Sequence, residues 1–462
     1  MGDSMTRSTI RRRRPLAVGL LAVLGLVGAA CSSDDDSAPA ETAPTETAPA
    51  DTTPADTTPA DTTPGDTTPG DTTPATGDDE FSVFPSLPPA TGEPMTVGLV
   101  NTEGTPGLDF PDIRLAVSEA FDYLNEHGGV GGRPVTLETC TANGSPETSQ
   151  ACAQELTGKG VELVLVGLDL FPDYATYTAA GVPVIGMLPI LPGDYSADAL
   201  FITGGNATTT SAMAAVAKDY FQAATVGIVS ADNAGANGTL ASLTASLDKA
   251  GIAWTSVKGG DNETDAGYQG LMREAAADNP DLLVSLYSDA GCIGTIRGRA
   301  SLGIEIPVLT TSLCSSADVL EQVGDDALGW NFVGASTQED TPELAILQEI
   351  MAPVLDVEPE EVDSTALGLG GLGLVMTMTV AVLANRIAAD GGEVTGASIY
   401  ELLENGDDDL YSWPGTTPLD CGAAPAYPAV CAFEFPASEY IEGGEVVTIP
   451  GLEAVSALEY LP

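Results

Sequence analysis

Residues 95–140 read MTVGLVNTEGTPGLDFPDIRLAVSEAFDYLNEHGGVGGRPVTLETC. The run Met95–Asn101 is short and apolar and predicts a β-strand. After a Gly/Pro loop, Ile113, Ala116, Val117, Ala120, Phe121 and Leu124 recur at the spacing of one helix face. Pro111 stands in the first turn and Gly128 lies past the end, as helix boundaries favour. Pro134–Cys140 predicts a second strand. Strand, helix and strand in this order form a βαβ unit, whose strands lie parallel.

The pattern continues in both directions of argument. Strands are expected at Val161–Gly167, Val182–Leu188, Thr225–Ser230, Ile252–Val257, Leu282–Tyr287 and Ile306–Thr310. Helices are expected at Pro146–Leu156, Tyr174–Ala180, Thr208–Phe221, Leu240–Ala250, Tyr268–Ala277 and Ile293–Leu302. Several strands are apolar on both faces, which central parallel strands require. The expected fold class is therefore α/β, with two doubly wound, Rossmann-like lobes and a cleft between them. The expected first lobe is 93–205 plus about 333–395, and the second 206–332 plus about 396–462.

The chain has 462 residues and a net charge of −52. Phosphate backbones need clustered Lys and Arg, so nucleic acid is excluded as a partner. The only histidine is His127, at a helix end before two glycines, where capping is the expected role. No Gly-x-Ser-x-Gly elbow and no Cys-x-x-Cys pair occurs, so neither a serine hydrolase nor a zinc site is expected. Neither an enzyme nor a cofactor is expected.

The first 30 residues read as an export signal: Arg7 and Arg11 to Arg14, then an apolar run from Leu16 to Ala30. Residues 31–92 read as a Thr/Pro/Asp-rich tether, in which Asp-Thr-Thr-Pro repeats at 51, 56, 61, 66 and 71. Residues 32–80 hold 13 acids, no base and no aromatic side chain, a composition that predicts disorder.

Several motifs in order resemble a known family. Asn125 to Val135 (NEHGGVGGRPV) is similar to the turn N-x-x-GG-(I/V)-x-G-(R/K)-x-(I/V). Gly181-Val182-Pro183-Val184-Ile185 resembles a G-V-P-x-I strand entry. Asp265-Ala266-Gly267-Tyr268 resembles a D-F helix start, and Asn279-Pro280-Asp281 matches an N-P-D strand entry. Over about 95–390 the chain thus resembles type I periplasmic binding proteins of the leucine/isoleucine/valine-binding family, solute receptors of ABC importers. The string Leu26-Val27-Gly28-Ala29-Ala30-Cys31 likewise resembles a lipobox, which implies a lipid on Cys31 and anchoring to the outer face of the cytoplasmic membrane. The resemblance implies two lobes joined by three crossovers and closing on a small ligand, with an ABC permease as partner. A tethered ligand sensor or surface-interaction protein reusing the fold is the alternative.

The family's amino-acid clamp is not matched. It places Ser or Thr after the third strand, where this chain has Gly167-Leu168-Asp169-Leu170-Phe171-Pro172. The expected solute is a small organic molecule, amino-acid-like, amide- or urea-like, and larger, more apolar or more cationic than an ordinary α-amino acid. The loops expected to meet in the cleft offer Glu103, Phe110, Asp169, Phe171, Ile190, Asp232, Asn233, Tyr287, Asp289 and Ser312.

Setting Cys31 aside leaves six cysteines in an exported protein, and six allow fifteen pairings. Local order suggests Cys140–Cys152, Cys292–Cys314 and Cys421–Cys431. Ala366 to Ala384 is uncharged and long enough to span a membrane, and it contains Gly368-x-Gly370-x-x-Gly373. It follows no strand in a βαβ unit, so a dinucleotide site is not expected. The family resemblance implies a buried helix here.

Overall fold

The computed structural model describes residues 87–105, 108–335, 341–365, 367–406, 410–414 and 417–462; the side chain of Asp289 is outside that description. The export signal 1–30, Cys31, the tether to residue 86 and Ala366 also lie outside the described residues.

The first half alternates β1 (Met95–Thr102), α1 (Pro111–Glu126), β2 (Val135–Ala142), α2 (Pro146–Gly158), β3 (Leu163–Val166), α3 (Tyr174–Ala180), β4 (Val184–Gly186) and β5 (Leu200–Phe201). These strands form one parallel sheet in the order β2-β1-β3-β4-β5. The next stretch gives α4 (Gly205–Ala215), β6 (Thr225–Ala231), α5 (Ala234–Ala250), β7 (Ala253–Gly259), α6 (Asp265–Ala275), β8 (Leu282–Leu286), α7 (Asp289–Ser301), β9 (Val308–Thr311), α8 (Ala317–Val323) and β10 (Trp330–Val333). Then come α9 (Pro342–Leu355), α10 (Gly368–Ala389) and α11 (Gly396–Asn405). Short strands close the chain: β11 (Tyr411–Ser412), β12 (Thr417–Pro418), β13 (Glu434–Phe435), β14 (Ala437–Tyr440), β15 (Val446–Thr448) and β16 (Val455–Ser456). The second sheet runs β15-β14-β10-β9-β8-β6-β7, parallel except where β14 and β15 join antiparallel. β11 pairs with β12 and β13 with β16 in two small antiparallel ribbons.

The central strands of each sheet are buried on both faces, whereas the edge strands β2 and β7 are partly exposed. Val97 and Leu99 of β1 pack toward α1, α9 and α10, whereas Val100 packs toward α2 with Leu156. In β6, Val226 and Ile228 face one core and Val229 the other. The apolar runs lack alternation because both faces are core.

The chain crosses between lobes three times. Ile202 is in the first core and Ala212 in the second; Val333 is in the second and Ile346 in the first; Ala432 is in the first and Ala437 in the second. The crossings lie side by side: Phe201 N–H donates to Ala429 O at 2.7 Å, Cys431 N–H to Phe201 O at 3.0 Å, and Gly334 N–H to Pro436 O at 2.8 Å.

The lobe boundary near 396 differs from the sequence expectation, which placed all of 396–462 with the second lobe. Ile399, Leu403, Leu410, Trp413, Leu419 and Cys431 pack in the first core, and the chain joins the second sheet only at β14. α11 is amphipathic, and its apolar stripe covers the first sheet's helix layer beside α10.

α10 is the one helix among the described residues apolar and long enough to cross a membrane. It is a core helix: Leu374, Met376, Met378, Val380 and Ala381 are fully buried in the first lobe. Its glycines serve contact with α1, since a methyl at Gly370 would stand 3.3 Å from Asp112 O and one at Gly373 would stand 3.2 Å from Ile113 Cγ2. Asp112 Oδ2 accepts from Gly370 N–H at 3.0 Å.

The glycine-rich turn after α1 is also structural. Gly131 has φ +60°, and its position lies against Val394, where a methyl would come within 2.6 Å. Arg133 then ties the amino ends of β1 and β3 to the loop before α11. It bonds both oxygens of Glu162 at 2.7 and 2.8 Å, and the carbonyls of Glu93, Pro94 and Val394. His127 ends α1: its N–H donates to Leu124 O, and its ring stacks on Tyr123 with centroids 4.1 Å apart.

The structure bonds Cys140 to Cys152, Cys292 to Cys314 and Cys421 to Cys431.

Candidate functional site

Strand order reverses between β1 and β3 in the first sheet and between β6 and β8 in the second. At such a point two adjacent loops diverge to opposite faces and leave a crevice beyond the carboxyl ends. The loop segments 103–105, 108–110, 167–173 and 187–194 therefore define the first lobe's half of the candidate site. The loops after β6, β8 and β9 define the second.

In the first lobe the floor is Asn101, 1% exposed at the end of β1. Its Nδ2 donates to Phe110 O at 2.7 Å and to Glu103 Oε1 at 3.2 Å. Its Oδ1 accepts from Leu168 N–H at 3.0 Å. One buried amide thus joins the loops on both sides of the switch point.

Glu103 is half-buried and engaged by Arg114 of α1, with Nε at 2.9 Å from Oε1 and Nη2 at 3.1 Å from Oε2. Phe110 lies half-buried against the first core. Asp169 points inward rather than to solvent: at 1% exposure, its Oδ1 accepts from Ser149 Oγ at 2.6 Å and from Phe171 N–H at 3.1 Å. Phe171 is 41% exposed on the loop that Asp169 holds. Ile190 is half-buried, and its N–H donates to Asp194 Oδ2 at 2.8 Å.

Burial pushes the Asp169 carboxyl up; the bonds from Ser149 and Phe171 oppose this, and repulsion from Asp194 adds to it. Oδ2 has no hydrogen-bond partner among the described residues, so no bond there offsets the raised affinity of the carboxyl for its proton. The native state then holds this proton more tightly than the unfolded chain does. Its contribution to stability is full below the ordinary carboxyl value of 3.8 and is lost as pH rises through the raised native value. Asp169→Asn removes this dependence. Urea unfolding of both proteins across acid to neutral pH should show wild type gaining on the variant as pH falls. A constant difference would refute the protonation.

In the second lobe, Asn233 is committed to local structure. Its Oδ1 caps α5 through Ala236 N–H at 2.9 Å, and its Nδ2 donates to Asp261 Oδ1 at 2.6 Å. Asp232 is exposed and accepts from Asn237 Nδ2 at 3.2 Å. Tyr287 does not form an open aromatic wall. It is 4% exposed, edge-on to Tyr268 with centroids 5.7 Å apart, and burial pushes its phenol up. Ser312 is half-buried in the turn that the Cys292–Cys314 bridge holds, and Leu313 beside it is 60% exposed. Asp289 begins α7.

On the strand-end loops Phe171 and Asp232 are exposed and Phe110, Ile190 and Ser312 half-buried, while Asp169 and Tyr287 turn into the cores. Sequence reasoning missed Asn101, Asp194 and Leu313. The legible signal for Asn101 was a polar residue ending an otherwise apolar strand. For Asp194 it was an acid closing the Pro192-Gly193 turn.

None of the donor groups gathers as a metal site: no cluster of three His, Cys, Asp or Glu occurs among the described residues. A cavity of about 490 Å³ lies at the opposite, amino-terminal edge of the first sheet, lined by Glu93, Arg133, Glu162 and Glu393. There the Arg133 guanidinium is bound to both oxygens of Glu162.

Two doubly wound lobes, linked by adjacent crossings and presenting strand-end loops, define a bilobal binding protein. The sequence pattern of the periplasmic binding protein family matches residues 94–418, and the chain belongs to that family. No curated protein matches the sequence. Solved structures are similar in fold. An ABC transporter substrate-binding protein from Sphaerobacter thermophilus is 18% identical, with a TM-score of 0.59 over 80% of this chain and 100% of that one. A putative branched-chain amino acid ABC transporter protein from Rhodospirillum rubrum is 14% identical, with a TM-score of 0.58 over 78% and 100%. A solute-binding protein from Rhodopseudomonas palustris BisB5, in complex with 3,4-dihydroxybenzoic acid, is 16% identical, with a TM-score of 0.54 over 79% and 98%.

Proposed function

We propose that this chain is the exported solute-binding component of an ABC importer. In this reading it is anchored through lipid on Cys31, held off the membrane by the tether, and closes its two lobes on a small amide- or urea-like solute without chemical change. The observation that carries it is the hinge: three crossings hydrogen-bonded side by side between two sheets of matching strand order. Such a joint supports rigid-body closure, and a solute that touches both lobes shifts the population toward the closed form. The similarity in fold to ABC transporter proteins from Sphaerobacter thermophilus and Rhodospirillum rubrum supports the same reading.

Small-angle scattering of the mature chain against a metabolite panel tests the reading. A smaller radius of gyration with one solute, and recovery of permease subunits on crosslinking in membranes, is the expected result. No compaction with any solute, together with recovery of a sensor kinase, would overturn it in favour of a tethered sensor.

A further inference from the structure

We infer that the first lobe is closed to carboxylates, and that Asp169 and Asp194 determine this specificity by occupying the loop amides themselves. The inference rests on the solute-binding reading and narrows its solute class.

A carboxylate bound at strand ends is held by unpaired backbone N–H groups or by a cation. Here four loop amides are already engaged from within. Leu168 N–H donates to Asn101 Oδ1 at 3.0 Å and Phe171 N–H to Asp169 Oδ1 at 3.1 Å. Ile190 and Leu191 N–H donate at 2.8 and 2.7 Å to one oxygen, Asp194 Oδ2. Asp194 is 5% exposed, and its other oxygen accepts from Tyr174 OH at 2.9 Å. Burial, then the nearby Asp194 charge, pushes the Tyr174 phenol far up, so it remains a donor. The internal carboxylate thus sits where a bound anion would draw the same two amides.

Charge acts in the same direction. The stretches 103–105, 108–110, 167–173 and 187–194 contain five acids and neither Lys nor Arg. The nearest guanidinium on α1, that of Arg114, is bound to both oxygens of Glu103. An incoming carboxylate would lose its hydration, meet no free partner among these groups and face like charge. An uncharged amide or urea, or an organic cation, meets none of these penalties. Phe171, exposed beside these amides, offers a ring face to either.

The test is amide NMR of the full mature chain, deuterated and labelled with ¹⁵N at Leu, Ile and Phe, titrated at neutral pH with L-leucine against L-leucinamide and benzoate against benzamide. The Leu168, Phe171, Ile190 and Leu191 signals should not move with leucine or benzoate. Asp194→Ala, which frees two amides, should make the Ile190 and Leu191 signals respond to the carboxylates. If that variant does not fold, the wild-type titration decides alone. Movement of these four signals in wild type with either carboxylate overturns the inference. It would leave the solute-binding reading standing, because that reading fails through absent compaction with every solute together with recovery of a sensor kinase.

Discussion

Asn101→Ala should destabilise the protein by about 3 kcal/mol and uncouple the first-lobe loops from one another. The substitution leaves Leu168 N–H and Phe110 C=O without their buried partner, and each such group costs about 1–3 kcal/mol. A small void adds to this. Asn101→Asp is expected to be worse. A carboxylate there faces Phe110 O at 2.7 Å and Glu103 Oε1 at 3.2 Å, where an N–H₂ now donates to both. Gly167 belongs to the same arrangement: a methyl on it would stand 2.7 Å from Asn101 Oδ1 and 2.9 Å from Ile113 Cγ2. Gly167→Ala should therefore reproduce part of the loss. Urea unfolding measures the stability change, and scattering with solute measures closure. An Asn101→Ala protein that unfolds at the wild-type midpoint would show that solvent replaces these bonds freely and that the floor is not rigid.

The fold was readable where the chain is regular. β1, α1 and β2 could be placed because six apolar residues repeat on one face of α1 and because Pro111 and Gly128 mark its ends. α3 was placed from Tyr174 to Ala180, the same bounds the structure gives. β5 has two residues and β10 four, too few for a period to declare itself. The region after 396 is not legible in the sequence, because its strands are two to four residues long and carry no alternation. What positions it is non-local: Trp413 N–H donates to Thr379 Oγ1 of α10 at 2.9 Å, across a separation of 34 residues.

The site was legible as a set of loops and not as a set of side chains. Alternation tells which face a residue takes inside a strand. One or two residues past the strand the backbone turns, and that rule ends. Asp169 therefore looked like a cleft acid, yet Ser149 and the Phe171 amide draw it inward. Tyr287 looked like a cleft wall, yet it packs on Tyr268 and over Gly291, where a methyl would come within 2.3 Å of the ring. Hydrogen-bond demand from the turning backbone decided the first case, and glycine-made space decided the second.

Removing the Cys292–Cys314 bridge should cost about 3 kcal/mol and loosen one side of the second-lobe rim. The bridge closes a loop of 22 residues, the longest of the three, and loop-closure entropy for that length gives about 3 kcal/mol. Both cysteines are 0% exposed, so the sulfurs also fill core volume between α7 and β9. The bridge joins the first turn of α7 to the 312–314 turn, and Leu313 projects from that turn at 60% exposure. The double variant Cys292→Ser, Cys314→Ser should therefore show faster hydrogen exchange at 312–316 and in the first turn of α7. Exchange in the first sheet should be unchanged, because its core shares no residue with this one. Loss of solute-driven compaction should accompany the change if Leu313 contacts the solute. Unaltered exchange at 312–316 would mean that packing of Val319 and Leu320 alone holds the turn, and the bridge would then be dispensable for the rim.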